Sequence, residues 1–230
     1  MNQTANPEVM LFASTTQSFL EKEASLSRVR ELHEAGTSFE HDWWRRAAEL
    51  GWTSLLVPEE LGGGSVSGDG VSDLALVAEL AGKVVAPGPL HPVSTVLAGL
   101  VEAPEGQRDT IEAVIVGETV ASWAVYEPGR PWAPLQPKVT AVPTGSGFRI
   151  DGVKDRVEAG ADAGLLLVTA RCDGAVRQFL VPTDAPGVTV ERQSSIDLVK
   201  SYARVRFDGV ELDAGAVVGS AEQTPAIIAR

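Results

Sequence analysis

Glu112-Ala113-Val114-Ile115-Val116-Gly117-Glu118-Thr119-Val120-Ala121-Ser122-Trp123-Ala124-Val125 decides the fold, because the chain changes its period inside this stretch. Up to Val116 the apolar residues recur three or four apart, as on one face of a helix. After Gly117 they come in short runs rich in β-branched residues, each closed by turn residues, as in strands. The chain divides here into an α part and a β part.

Upstream, Val9, Phe12, Phe19, Leu26 and Val29 mark one helical stripe from Pro7 to about Leu32. A second helix is predicted over Glu40 to Leu50, with Thr37 and Glu40 at capping-box spacing and Gly51 as a left-handed stop. The glycine-rich run Gly62 to Gly70 reads as an exposed loop. Further helices are expected over Ser72 to Val84, with Leu74, Val77, Ala78 and Ala81 inward, over Val93 to Val101, and over Pro104 to Val116.

Downstream, strands are expected at Val120–Val125, Lys138–Val142, Phe148–Ile150, Leu165–Arg171, Val176–Val181, Val188–Arg192 and Ala203–Phe207. Asp151-Gly152 and Asp173-Gly174 read as hairpin turns, since both dipeptides favour positive φ. Short antiparallel strands at this spacing imply a sandwich or barrel. The fold class is α+β: a helical domain over 1–117, a β domain over 118–220, and the opening turns of a further helix over 221–230, with nothing after it to pack on.

The bulk numbers narrow the function. The net charge is −12. Residues 1–118 hold 7 basic and 18 acidic side chains, whereas residues 138–206 hold 10 basic and 8 acidic ones. An acidic surface without a basic stripe excludes nucleic acid as the expected partner. No apolar run reaches the roughly 18 residues of a membrane span. Met1 to Pro7 lacks the basic and apolar regions of a signal peptide, so the cytoplasm is the expected compartment. Cys172 is the only cysteine, which excludes an internal disulfide.

Self-contained chemistry is hard to find. His33, His41 and His91 lack metal-ligand spacing. Gly62-Gly63-Gly64 lacks the Lys-Ser/Thr ending of a phosphate loop, and no serine lies in a nucleophile elbow. Cys172, beside a turn, reads as structural.

Three stretches carry a resemblance. Ala48-Glu49-Leu50-Gly51-Trp52 with Val57-Pro58-Glu59-Glu60-Leu61-Gly62-Gly63 resembles the "AELGW…VPEExGG" run of acyl-CoA dehydrogenases. Leu76 to Ala81 followed by Ala86-Pro87-Gly88-Pro89-Leu90 is similar to the helix and break of actinobacterial members. Glu127-Pro128-Gly129, with Gly152 and Lys154 further on, resembles the opening of the family's β domain. The resemblance implies a C-terminal helical domain that is absent or truncated here. It implies FAD as cofactor and α,β-dehydrogenation of an acyl-CoA thioester, in which a carboxylate removes the α-proton while the β-hydride passes to the flavin. An electron-transfer flavoprotein is the implied electron acceptor.

Carried over residue by residue, the implied cofactor positions are Val125, Tyr126, Trp132, Arg156 and Glu158, and the implied acyl-pocket positions are Leu90, His91 and Ser94. Tyr126 stands where the family has a flavin-bonding Thr, and Arg130-Pro131-Trp132 where it has small residues near the pyrophosphate. Arg156 replaces an aromatic flavin neighbour, and Glu158 replaces a hydroxyl. The family's base lies in its third domain, so no residue of this chain is assigned as catalytic. Three readings stay open. The chain is a degenerate subunit needing a partner acyl-CoA dehydrogenase chain for base and flavin, as in hetero-oligomeric steroid side-chain types; or part of a complete flavoenzyme; or a non-catalytic scaffold.

Overall fold

The computed structural model describes residues 6–229; Met1 to Ala5 and Arg230, at the outer ends of the ranges read above, lie outside the described residues. Six helices come first: α1 (Pro7–Glu23), α2 (Leu26–Glu34), α3 (His41–Glu49), α4 (Gly70–Lys83), α5 (Leu90–Leu100) and α6 (Arg108–Ile115). Eight strands follow: β1 (Ala121–Ala124), β2 (Thr140–Pro143), β3 (Gly147–Glu158), β4 (Leu165–Cys172), β5 (Ala175–Pro182), β6 (Val188–Gln193), β7 (Tyr202–Asp213) and β8 (Val217–Val218). A last helix, α7, covers Thr224–Ala229. Helices then strands is the order that the change of period predicts. Among the described residues no helix is long and apolar enough to cross a membrane.

The first predicted helix is in fact two. Ala24 leaves helical geometry, and the Ser25 hydroxyl accepts from the Arg28 N–H at 3.2 Å, capping α2. Such a cap satisfies an end amide that a continuous helix would not leave free. The predicted capping box does not form. Glu40 occupies the cap position of α3 without a side-chain bond, pairing instead with Arg28, while Thr37 Oγ1 donates to the Phe39 carbonyl. Gly51 does end α3 in left-handed geometry, at φ 89°. In α4 the inward face runs through Asp73 and Val77, and Ala78 is exposed. Asp73 is buried because its carboxylate accepts the Val66 and Ser67 N–H groups at 2.7 and 2.9 Å, pinning the glycine-rich loop to the helix.

The helical core is aromatic. Trp44 and Trp52 are fully buried, Phe19 meets Trp52 edge-on with centroids 5.6 Å apart, and Trp52 Nε1 donates to Thr16 Oγ1. It continues through Val93, Val96, Leu97 and Leu100 on α5 into the apolar face of the sheet, forming one cluster across both halves.

The strands form a single sheet in the order β6-β7-β3-β2-β4-β5-β8, with β1 beside β4. Most pairs are antiparallel, but β4 pairs in parallel with both β1 and β2. These two share one edge of β4: Leu165–Val168 face β1, and Arg171 and Cys172 face β2. The chain between β1 and β2 therefore leaves the sheet, and this excursion carries the Glu127-Pro128-Gly129 motif.

Asp173-Gly174 forms the expected hairpin turn, with φ of 49° and 80°. Asp151-Gly152 does not. It sits inside the twelve-residue β3, where the register against β7 slips between Ile150 and Gly152. Gly152 has φ 137°, and a Cβ there would lie 2.9 Å from the Val139 side chain, so the glycine marks a bulge. Helix α7, where the opening turns of a further helix are expected, packs back on the preceding chain: Ile227 is buried, and a Cβ on Gly99 of α5 would lie 3.6 Å from it. Cys172 is buried, and burial pushes its thiol pKa up, in keeping with a structural role.

Candidate functional site in the cleft between helices and sheet

The excursion after β1 is anchored by Glu127. Its carboxylate accepts the Lys138 N–H at 2.8 Å and the Val139 N–H at 3.0 Å, and it pairs with Lys154 Nζ at 3.0 Å. Lys154 is fully buried and also donates to the Val125 carbonyl at 3.2 Å. Burial opposes the charge on both groups. For Glu127 the backbone donors and Lys154 outweigh burial, so its pKa falls below the usual carboxylate value. For Lys154 burial wins over the attraction of Glu127, and its pKa drops to about 8. The two sequence landmarks, Glu127-Pro128-Gly129 and Gly152-x-Lys154, are thus the two halves of one buried ion pair, which gives Glu127 a structural role.

Around this anchor lies a cleft of about 670 Å³ between α5 and the sheet. Val125, Tyr126, Trp132, Arg156 and Glu158, the five positions expected at the cofactor, all line it, together with His91. Arg156 is aimed there by a second bulge. Its φ is 50°, and the β3–β7 register slips between Lys154 and Val157. Its guanidinium lies 4.8 Å above the Tyr126 ring. Trp132 packs against Tyr126 at 5.1 Å and against Trp123 at 5.7 Å, the latter edge-on.

Glu158 ends β3 on the same cleft. It pairs with His91 Nδ1 at 3.0 Å, reaching the helical half, and with Lys200 Nζ at 2.5 Å. Burial raises its pKa, but the bonds from His91 and Lys200 outweigh that, and the carboxyl is held below its ordinary value.

The residues present do not fit a flavin ring held by this chain as it stands. The aromatic wall is already stacked upon itself, with the Arg156 guanidinium on the face of Tyr126 and Trp132 across both neighbours. Pro131 has no N–H to offer an anionic group, and Glu158 adds a carboxylate to the wall of the cleft.

Two of the three acyl-pocket positions come together and one stands apart. His91, its ring largely exposed, lies where this cleft meets an adjoining cavity and lines both. Ser94 is buried and faces that adjoining cavity of about 230 Å³, and Leu90 packs on the core and lines neither space. Ala98 and Gly99, small residues of the same helix, also line the adjoining cavity. Sequence reasoning missed Trp123, Lys200, Tyr202 and Gln178. Trp123 carried a signal, since an aromatic in a short strand beside Glu127-Pro128-Gly129 has a fixed face. Lys200 carried none, because only the turn before β7 brings it back to Glu158.

Comparison with known proteins agrees with this architecture. Residues 6–118 match the family model described as acyl-CoA dehydrogenase, N-terminal domain. Acyl-CoA dehydrogenase FadE27 of Mycobacterium tuberculosis is 29% identical over 197 residues, covering 84% of this chain and 50% of that protein. Acyl-CoA dehydrogenase FadE12 of the same species is 31% identical over 189 residues, covering 77% and 48%. The chain thus spans about half the length of these curated relatives. Among solved structures, the ChsE4–ChsE5 complex from Mycobacterium tuberculosis superposes with a TM-score of 0.83 at 26% identity, covering 99% of this chain and 61% of that one. The motifs, the helices-then-sheet architecture and these matches agree, and the chain belongs to the acyl-CoA dehydrogenase family.

Proposed function

We propose that the chain is a degenerate subunit of an FAD-dependent acyl-CoA dehydrogenase, working in the cytoplasm on the α,β-dehydrogenation of acyl-CoA thioesters. A partner subunit supplies the base and the main flavin contacts, and an electron-transfer flavoprotein takes the electrons. The observation that carries this reading is the wall of Tyr126, Trp132 and Arg156, whose side chains stack on one another along the cleft. A solved relative that is itself a complex of two named chains supports the need for a partner. Val125 and Glu158 complete the cofactor side of the cleft; His91 and Ser94 belong to the acyl side, backed by Leu90 from the core, with His91 tied to Glu158 across the junction.

A second reading is part of a longer flavoenzyme with its own base, favoured by the half-length match to the curated relatives. The visible spectrum separates the two. The chain is purified alone and after co-expression with an acyl-CoA dehydrogenase chain encoded beside it. Flavin in the co-complex only is the expected result. Flavin retained by the isolated chain overturns the degenerate-subunit reading, and flavin in neither preparation leaves a non-catalytic scaffold.

A further inference from the structure

The adjoining cavity holds a feature that the cleft does not explain. Its walls are largely apolar, built from Leu167 of β4, Ala98 and Gly99 of α5, Trp123 of β1 and Ile227 of α7. Gln178 of β5 also lines it. This residue is only 2% exposed, and its Oε1 is buried without a hydrogen-bond partner. Among the other polar groups around the cavity, Trp123 Nε1 donates to Thr169 Oγ1 at 2.9 Å and Thr95 Oγ1 donates to the His91 carbonyl at 2.9 Å, while the small hydroxyl of buried Ser94 sits on the α5 wall. A buried amide oxygen left unmatched costs about 1–3 kcal/mol, so it is an unusual residue to find on an apolar wall.

We infer that Gln178 is a specificity-determining residue that receives a hydroxyl on the hydrocarbon part of an acyl group entering this cavity. The inference rests on the acyl-CoA reading above and deepens it. An unsubstituted chain would bury its methyl end against the unmatched amide, whereas a hydroxylated one satisfies it. A hydroxyl both donates and accepts, so it serves the amide whichever way its oxygen and nitrogen are turned. The cavity, about 230 Å³, compares with a cavity of about 150 Å³ that holds benzene. It accepts a hydrocarbon segment and has room for little more.

The test is calorimetric titration of the full chain, and of its complex with the partner subunit. The ligands are straight-chain acyl-CoAs of increasing length and the matching terminally hydroxylated series. At the length that reaches Gln178, the hydroxylated ligand is expected to bind roughly tenfold tighter than its unsubstituted twin. Gln178→Met, close in shape, is expected to erase that preference and to tighten binding of the unsubstituted chain. Gln178→Leu serves as a second variant, with circular dichroism as the folding check on both. Equal affinities in both series at every length overturn the role of Gln178 and leave the acyl-CoA reading intact. A preference that survives in Gln178→Met also overturns it. If neither series binds the chain or the complex, the acyl-CoA reading fails and takes this inference with it.

Discussion

Replacing Glu127 by Gln tests the anchor on which the cleft is built. The substitution keeps the size of the side chain and one acceptor oxygen, but removes the charge that faces Lys154. That lysine is fully buried, and its remaining acceptor is the Val125 carbonyl at 3.2 Å. Removing one member of a buried pair costs about 3–5 kcal/mol, because the other charge stays behind uncompensated. Taking about 3 kcal/mol, since the amide still accepts from Lys138 or Val139, Tm should fall by roughly 6–12 °C in a protein of this size. The pH dependence gives a second handle. The folded pKa of Lys154, about 8, lies below its ordinary 10.5, so between these values the unfolded chain holds more protons and stability rises with pH. Without Glu127 the attraction that holds this pKa up is lost, and Lys154 discharges at lower pH. The deficit of Glu127→Gln should be largest where Glu127 is ionised and Lys154 is charged in parent and variant alike. It should narrow as pH rises through the variant's lowered Lys154 pKa, and should be gone above about pH 8, where Lys154 becomes neutral in both proteins. Thermal melts followed by circular dichroism across this range measure both effects. Adding Lys154→Met should recover most of the loss, as apolar replacement of a whole buried pair often does. A Tm unchanged by Glu127→Gln, or a deficit that does not vary with pH, would refute the reasoning.

Other expectations are smaller in scope. Glu158 has a lowered pKa, so its contribution to stability is present above the ordinary carboxylate range and is lost as pH falls through its folded value; Glu158→Gln should flatten that acid limb of the melting profile. Glycine substitutions should split by environment. A Cβ on Gly63 would lie 2.2 Å from the Val57 carbonyl oxygen, so Gly63→Ala should lower Tm by several degrees. Gly82, inside α4 with no close neighbour, should gain about 0.5–1 kcal/mol as Ala, read by denaturant midpoint. If the self-stacked wall is what excludes flavin, the double variant Tyr126→Thr and Arg156→Trp should retain flavin during purification where the parent chain does not; an empty variant counts against that cause.

The order of the fold was legible because period is a local property. The switch from helical to strand spacing at Gly117 can be seen in a dozen residues, and so can the Asp173-Gly174 turn. What local reading missed were places where a distant partner decides. Asp151-Gly152 has the composition of a hairpin turn, yet the twelve residues of β7 hold β3 in pairing across it and turn it into a bulge. The break at Ala24-Ser25 hides inside an unbroken apolar stripe, since only the Ser25 cap betrays it. In the site, motif positions led to the five residues lining the cleft, but no spacing could announce that Lys200 and His91 both close on Glu158. Gln178 was invisible for a related reason: an unpaired amide is defined by what is missing around it.

The Glu127 anchor also bears on how this protein can change over generations. Its carboxylate ties the start of the excursion to Lys138 and Val139 at the far end, and Lys154 fastens the same point to β3. The residues between, from Arg130 to Pro137, hang from a closed clasp and bear none of its bonds to Lys138, Val139 and Lys154. Substitutions at positions such as Pro131 leave those bonds in place, and with them the tie between the excursion and the sheet. A lineage can thus lose or trade what the cleft holds while every intermediate still folds.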